Sequence, residues 1–226
     1  MEAGGFGLPL KKFLGRKGAA EFPAGRLGRR TEAAPGERCE ICGAEIPADH
    51  WHVVNVESRR LLCTCRPCYL LFTHEGAAQG KYRAVGERYL YDPSFELSAA
   101  QWEELQIPVG LAFFFFHSGL GRWVAFYPSP GGATESLLEL GAWVEVLRAN
   151  PAFDRVSPDV GAVLVRRVGE GFEAYLVPID ACYGLVGRVR RSWRGFGGDQ
   201  VWAEIDGFLE QLRARSRWVR PGGAHG

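Results

Sequence analysis

CEICGAEIPADHWHVVNVESRRLLCTCRPCYLLF, residues 39–72, holds five of the chain's six cysteines. Within it, Cys39-x2-Cys42 and Cys65-x2-Cys68 are separated by 22 intervening residues. Thiolates at this spacing converge on one tetrahedral ion, and two such pairs fill a four-sulfur shell. A closed shell keeps no place for a substrate, so the pattern points to a metal-stabilised module rather than a catalytic centre. Residues 39–75 are too few to build a self-sufficient core, and a metal staple supplies what burial cannot.

The flanking residues shape the module. Gly43 follows Cys42, as suits a tight knuckle that needs relaxed backbone angles. Cys65-Arg-Pro-Cys68 lacks a trailing glycine and runs into Tyr69, Leu70, Leu71 and Phe72, an apolar run that reads as a helix start. Val53–Val56 and Arg60–Cys63 read as two strands around Glu57-Ser58-Arg59. Knuckle, hairpin and ligand-bearing helix together describe a treble-clef-like module. The missing second glycine favours Zn2+, with Fe in a rubredoxin-like site as the alternative. Cys65 has the two-residue spacer to Cys68 and is assigned as ligand; Cys63 is an alternative ligand or a buried spectator. His50 and His52, two apart on a strand, share one face and are further alternative ligands.

Residues 1–38 are rich in Gly, Ala, Pro and Arg and read as a disordered basic tail, carrying Lys11, Lys12, Arg16, Lys17, Arg26, Arg29, Arg30 and Arg38. Phe6, Leu8, Leu10, Phe13 and Leu14 form a short apolar segment within it. Residues 76–106 read as a connection: a hairpin over Lys81–Asp92 turning at Gly86-Glu87, then a helix over Ala99–Gln106 opened by a Ser98-x-x-Gln101 capping box.

Residues 107–216 read as an α+β domain. Val109–His117 and Arg122–Tyr127 form an antiparallel pair, and Thr134–Ala149 a helix with Thr134 as N-cap. Val160–Val168 and Phe172–Pro178 form a second hairpin, followed by helices over Ala181–Trp193 and Val201–Arg215. The recurring order predicts duplicated β-β-α units, matching Val109-Gly110 to Val160-Gly161 and Phe126-Tyr127-Pro128 to Leu176-Val177-Pro178. Helices packed on an antiparallel sheet are the economical architecture. Residues 217–226 read as a second disordered tail. Phe113-Phe114-Phe115-Phe116 demands burial on both faces of its strand, by the core or by a partner protein. Trp193–Gly198 is rich in anchor-type residues for a contact loop.

The 226 residues are 46% hydrophobic and 23% charged, with net charge +1. No global field steers the chain to nucleic acid or an anionic membrane, although Arg188, Arg190, Arg191 and Arg194 add a local basic cluster and keep a nucleic-acid-binding zinc protein as an alternative. The clustered cysteines suit a reducing compartment. The N-terminus has no secretory h-region, and the longest apolar run, Val109–Phe116, is far below the roughly 20 residues of a membrane helix. A cytoplasmic protein is expected.

Other chemistry-bearing patterns are weaker. The turn Tyr127–Thr134 has neither a P-loop lysine nor the dinucleotide fingerprint, and reads as a capped turn. Cys182 follows Asp180, whose charge opposes thiolate formation, and reads as a core cysteine. His117 reads as a strand-end surface histidine. Residues 107–226 show no Ser/His/Asp order, paired acids or metal-ligand helix, so no catalytic residue is assigned.

Five segments together carry a resemblance: Cys-Glu-Ile-Cys-Gly (39–43), Leu-Leu-Cys-Thr-Cys-Arg-Pro-Cys-Tyr-Leu-Leu-Phe (61–72), Ile-Pro-Val-Gly-Leu-Ala-Phe-Phe (107–114), Ala-Phe-Tyr-Pro-Ser-Pro-Gly-Gly-Ala-Thr-Glu-Ser (125–136) and Val-Pro-Ile-Asp-Ala-Cys-Tyr (177–183). From about Cys39 to about Leu212 the chain resembles an uncharacterised bacterial protein family commonly encoded beside high-affinity nickel-iron uptake hydrogenase genes. The resemblance supplies no activity. It implies a context, the assembly, maturation or electron-transfer support of a hydrogenase, and hence a protein partner: a nickel-iron hydrogenase or its maturation proteins. The expectation is a zinc-binding accessory or assembly protein, with a one-electron iron carrier as the alternative.

Overall fold

The computed structural model describes residues 36–136, 141–192 and 198–219. The expected basic tail lies outside them up to residue 35, as does the expected contact loop over residues 193–198 up to residue 197. Strands β1 (Trp51–Asn55) and β2 (Arg60–Thr64) form the expected hairpin. Arg59 takes a positive φ of 56° at the turn, and Asn55 Oδ1 accepts the Ser58 N–H. Helix α1 (Arg66–Leu70) follows.

Strand β3 (Tyr82–Ala84) pairs with the free side of β1, giving a three-stranded sheet in the order β2-β1-β3. Strand β4 (Leu90–Asp92) joins a different sheet. The hairpin expected over Lys81–Asp92 is therefore not formed. Gly86-Glu87 has the look of a turn, but each flanking strand is three residues long and finds its partner far along the chain. The module thus extends past residue 75 to take in β3.

Helix α2 (Ala99–Glu104) opens on the expected capping box, with the Ser98 and Gln101 side chains and backbones reciprocally bonded. Then come β5 (Leu111–His117), β6 (Arg122–Ser129) and β7 (Gly132–Ser136). The last corrects the helix expected from Thr134. Pro130-Gly131 is a hairpin tip closed by the Ser129↔Gly132 pair, and Gly132 has φ +119°. The Thr134 hydroxyl donates to Ser129 Oγ instead of capping a helix. Gly-rich hairpin chemistry and a β-branched residue outweigh the cap signal. Helix α3 begins at Gly141 and runs to Ala149.

Strands β8 (Gly161–Val168) and β9 (Gly171–Pro178) form the second predicted hairpin. Helices α4 (Ile179–Ser192) and α5 (Gly198–Arg215) follow, and β10 (Arg217–Trp218) lies parallel to β4. Arg217 and Trp218 were expected in a disordered tail; their pairing to the sheet corrects that. The larger sheet has the order β10-β4-β9-β8-β5-β6-β7, antiparallel except at β10.

Alternating residues divide this sheet between two cores. Phe113, Phe115, Leu164 and Tyr175 face α4 and α5; Phe114, Val163 and Leu176 face α2 and α3. Phe114 stacks on Trp143 with ring centroids 3.8 Å apart. Phe113, Phe114 and Phe115 are buried, so the core covers both faces of this stretch of β5. Helices α3 and α4 lie on opposite faces. Repetition of one β-β-α unit about an axis normal to the sheet would leave both on the same face, and β7 has no counterpart after β9. The chain is an α+β protein with two differently built halves.

The small sheet rests on the α4 side of the large one: Val54 and Val85 are buried in the same core as Ile179 and Cys182, with Leu61 packed against it.

Candidate metal centre

In the knuckle, the Gly43 N–H donates to the Cys39 carbonyl at 2.8 Å and the Cys39 N–H to Ala44 at 2.8 Å. Gly43 takes φ +75°, where a side chain would strain the turn. Across the module, Cys65 is the N-cap of α1, with extended backbone at φ −72° and ψ 158°. Pro67 enters the first turn without loss, since its missing N–H would be unpaired there anyway. Cys68 follows one turn on, so both sulfurs point back to the knuckle.

The donor atoms of Cys39, Cys42, Cys65 and Cys68 all lie within 4.8 Å of one another. The Cys42 and Cys65 sulfurs are 3.7 Å apart. A tetrahedral thiolate shell with metal–sulfur bonds of about 2.3 Å has edges of about 3.8 Å, so the four cysteines are positioned to hold one metal ion. Cys39 and Cys68 are buried, Cys65 is half-buried and Cys42 is exposed.

The thiols are electrostatically unequal. Burial pushes Cys39 up, but the backbone groups of Cys65, Cys42 and Ile41 bonded to its sulfur outweigh this and hold it at about 6. Burial raises Cys68 steeply, helped by its contacts with the Cys42, Cys65 and Cys39 sulfurs. For Cys65 the Cys68 N–H favours the thiolate, yet burial and the neighbouring sulfurs leave it raised. Cys39 is thus primed to ionise while Cys65 and Cys68 resist following; a bound cation removes that resistance.

His50, His52 and Cys63, read from the sequence as alternative ligands to this shell, instead gather into a group of their own. Burial raises the Cys63 thiol, reinforced by Glu40 and Glu37. Glu40 also accepts the Cys63 N–H at 2.7 Å.

Elsewhere, Cys182 is fully buried and its thiol is raised by burial and by Asp180. His117, expected at the surface, is buried at the end of β5, with Nδ1 accepting the Leu120 N–H and lying 3.9 Å from Asp159 Oδ1. Burial follows because Asp159, held at φ +66°, folds over it and accepts the Ser118 N–H. Nothing in the sequence signals Asp159, whose partners come from remote segments. Among the described residues no helix is long and apolar enough to cross a membrane.

Three large apolar side chains stay exposed on the module: Ile41 (40%), Leu70 (51%) and Leu71 (64%). Ile41 sits in the knuckle beside Cys42, and Leu70 and Leu71 end α1, so the metal shell and the exposed apolar residues belong to the same two turns.

A family model described as a family of unknown function (DUF5947) matches residues 38–216. No curated protein and no solved structure matches the chain. The model spans most of the chain, which belongs to this family.

Proposed function

We propose that this member of DUF5947 is a zinc-binding accessory or assembly protein that acts by binding another protein. The observation that carries this reading is the pairing of a four-cysteine shell with exposed Ile41, Leu70 and Leu71 on the same module. A shell with four protein sulfurs fixes backbone and leaves no coordination place for substrate, so the ion serves as a staple. The turns it fixes then offer rigid apolar anchors, the kind of surface that a partner covers. We read the knuckle, hairpin and ligand-bearing helix as a treble-clef arrangement. Resemblance to proteins encoded beside nickel-iron hydrogenase genes suggests the partner: a hydrogenase or one of its maturation proteins.

Metal analysis by mass spectrometry with a visible spectrum, on anaerobically purified protein, tests the staple. Colourless zinc lost from Cys42→Ser supports it. A second reading rests on the exposure of Cys42, which would bring a bound iron close to a docked redox partner. Iron with thiolate charge-transfer bands that bleach on reduction would select that reading. Co-purification with hydrogenase proteins should be lost in the Leu70→Glu, Leu71→Glu double variant while metal content holds. Undiminished co-purification would sink the proposed contact surface.

A further inference from the structure

We propose that His50, His52 and Cys63 form a second metal site, separate from the four-cysteine shell. It binds one Zn2+ ion through two imidazoles and one thiolate and leaves the fourth place to a small exogenous ligand.

The hairpin builds the site. His50 and His52 are two residues apart entering β1, and His52 sits directly opposite Cys63 in the β1–β2 register. All three side chains therefore emerge on one face of the small sheet. The imidazole centroids are 4.8 Å apart, and the three donor atoms lie within 4.8 Å of one another. A tetrahedral zinc ion with bonds of ~2.0–2.3 Å spaces its ligand atoms roughly 3.3–3.8 Å apart, a contraction that rotation about side-chain bonds supplies.

Hydrogen bonds leave one nitrogen of each ring available. His50 Nδ1 lies 2.9 Å from the Pro47 carbonyl, and His52 Nδ1 lies 2.9 Å from Asp180 Oδ2. A carbonyl and a carboxylate only accept, so in each ring Nδ1 carries a proton, and in the neutral imidazole Nε2 then holds the lone pair that a metal ion takes. This arrangement, with one ring nitrogen donating to an oxygen and the other facing the ion, is the one metal-bound histidines adopt.

His50 supplies an independent sign. Its side chain is 8% exposed, and Nε2 is buried with no hydrogen-bond partner among the described residues. A histidine kept only to brace the turn at Pro47 would not need to bury a lone pair unpaired, which is costly. A metal ion satisfies it. Two imidazoles and a thiolate suit zinc, and three protein ligands with a fourth place open are the pattern of exchange-competent zinc sites.

Asp180 lies in the first turn of α4, 128 residues from His52. It is a positioning residue: it orients the His52 ring and ties the site to the large sheet's helix layer.

The test uses the full chain, stripped of metal under anaerobic reducing conditions and titrated with Zn2+ against a chromophoric chelator. Wild type should take two equivalents. His50→Gln, His52→Gln and Cys63→Ser should each take one, and that retained equivalent shows the module still folded. Cys42→Ser should lose the other equivalent. Asp180→Asn should keep two but bind the second roughly 10–100-fold more weakly; unchanged affinity would remove Asp180 from the site. One equivalent in wild type that Cys42→Ser abolishes, or two that survive both His50→Gln and Cys63→Ser, would overturn the proposal. One equivalent that survives Cys42→Ser but not His52→Gln would uphold it while sinking the four-cysteine reading.

Discussion

Cys65 caps α1 through its backbone while its sulfur lies 3.7 Å from that of Cys42. Serine preserves the cap, since it is among the best N-cap residues, but removes the thiolate. Cys65→Ser should therefore release the metal of the four-cysteine shell without unwinding α1, whereas Cys63→Ser should leave that ion in place; metal analysis of the two variants checks the pair. A different constraint centres on Glu173, buried on β9. Its carboxylate accepts from the Tyr91 hydroxyl at 2.9 Å, from Arg213 at 3.1 Å and from the Tyr175 hydroxyl at 3.3 Å. Glu173→Ala should cost about 1–3 kcal/mol in urea unfolding, because it leaves the buried Tyr91 and Tyr175 hydroxyls without their acceptor, while the half-exposed Arg213 guanidinium can turn to solvent. The same cluster sets an alkaline limit. Burial, then the hydrogen bond to Glu173, pushes Tyr91 up to about 12, against an unfolded value of about 10. Because the fold favours the neutral phenol, stability should hold up to pH ~10 and fall as pH rises toward ~12. Tyr91→Phe should flatten that decline in the urea midpoint. Cysteine spacing was legible because ligand pairs are local in sequence. Glu173, Asp159 and Asp180 were not, because their roles come from partners brought together only by the fold, 82 residues apart for Tyr91 and Glu173.

At the scale of elements, signals confined to a few residues translated well. The Ser98–Gln101 capping box forms as read, and Ser98→Ala should lower stability by about 1 kcal/mol, measurable as a shift in the urea midpoint at unchanged slope. The four phenylalanines asked for burial on both faces, and β5 has a core on each side along Phe113–Phe115. The misreadings share one cause. A Gly-bearing stretch followed by Thr-Glu serves equally as a helix entry or as a hairpin tip, and β7 forms because β6 stands ready to pair with it. Gly86-Glu87 has the composition of a tight turn, yet β3 and β4 are drawn to different sheets by strands more distant in the chain. Three-residue strands carry too little pattern to declare a partner, so pairing rather than propensity decides them.

For the whole molecule, the reading of a separate four-cysteine module joined by a connector was incomplete. Val54 of the small sheet and Val85, the residue after β3, are buried in the core that also holds α4 and α5. Chelation should accordingly lower the melting temperature of the whole chain in a single transition; an early, separate transition of the module would count against this shared core. The position of β4 imposes something else, an order of events. This strand lies at residues 90–92, but its neighbours are β9, beginning at Gly171, and β10, at Arg217–Trp218. On a ribosome, β4 is made long before either flank exists. Its unpaired amides and carbonyls must wait while β5 to β8 assemble, and one margin stays open until the last described residues arrive. Such late, long-range closure slows folding and leaves a nascent edge able to capture another chain. Refolding should therefore be slow and sensitive to concentration, and shielding by a chaperone would help most in the interval before β9 emerges.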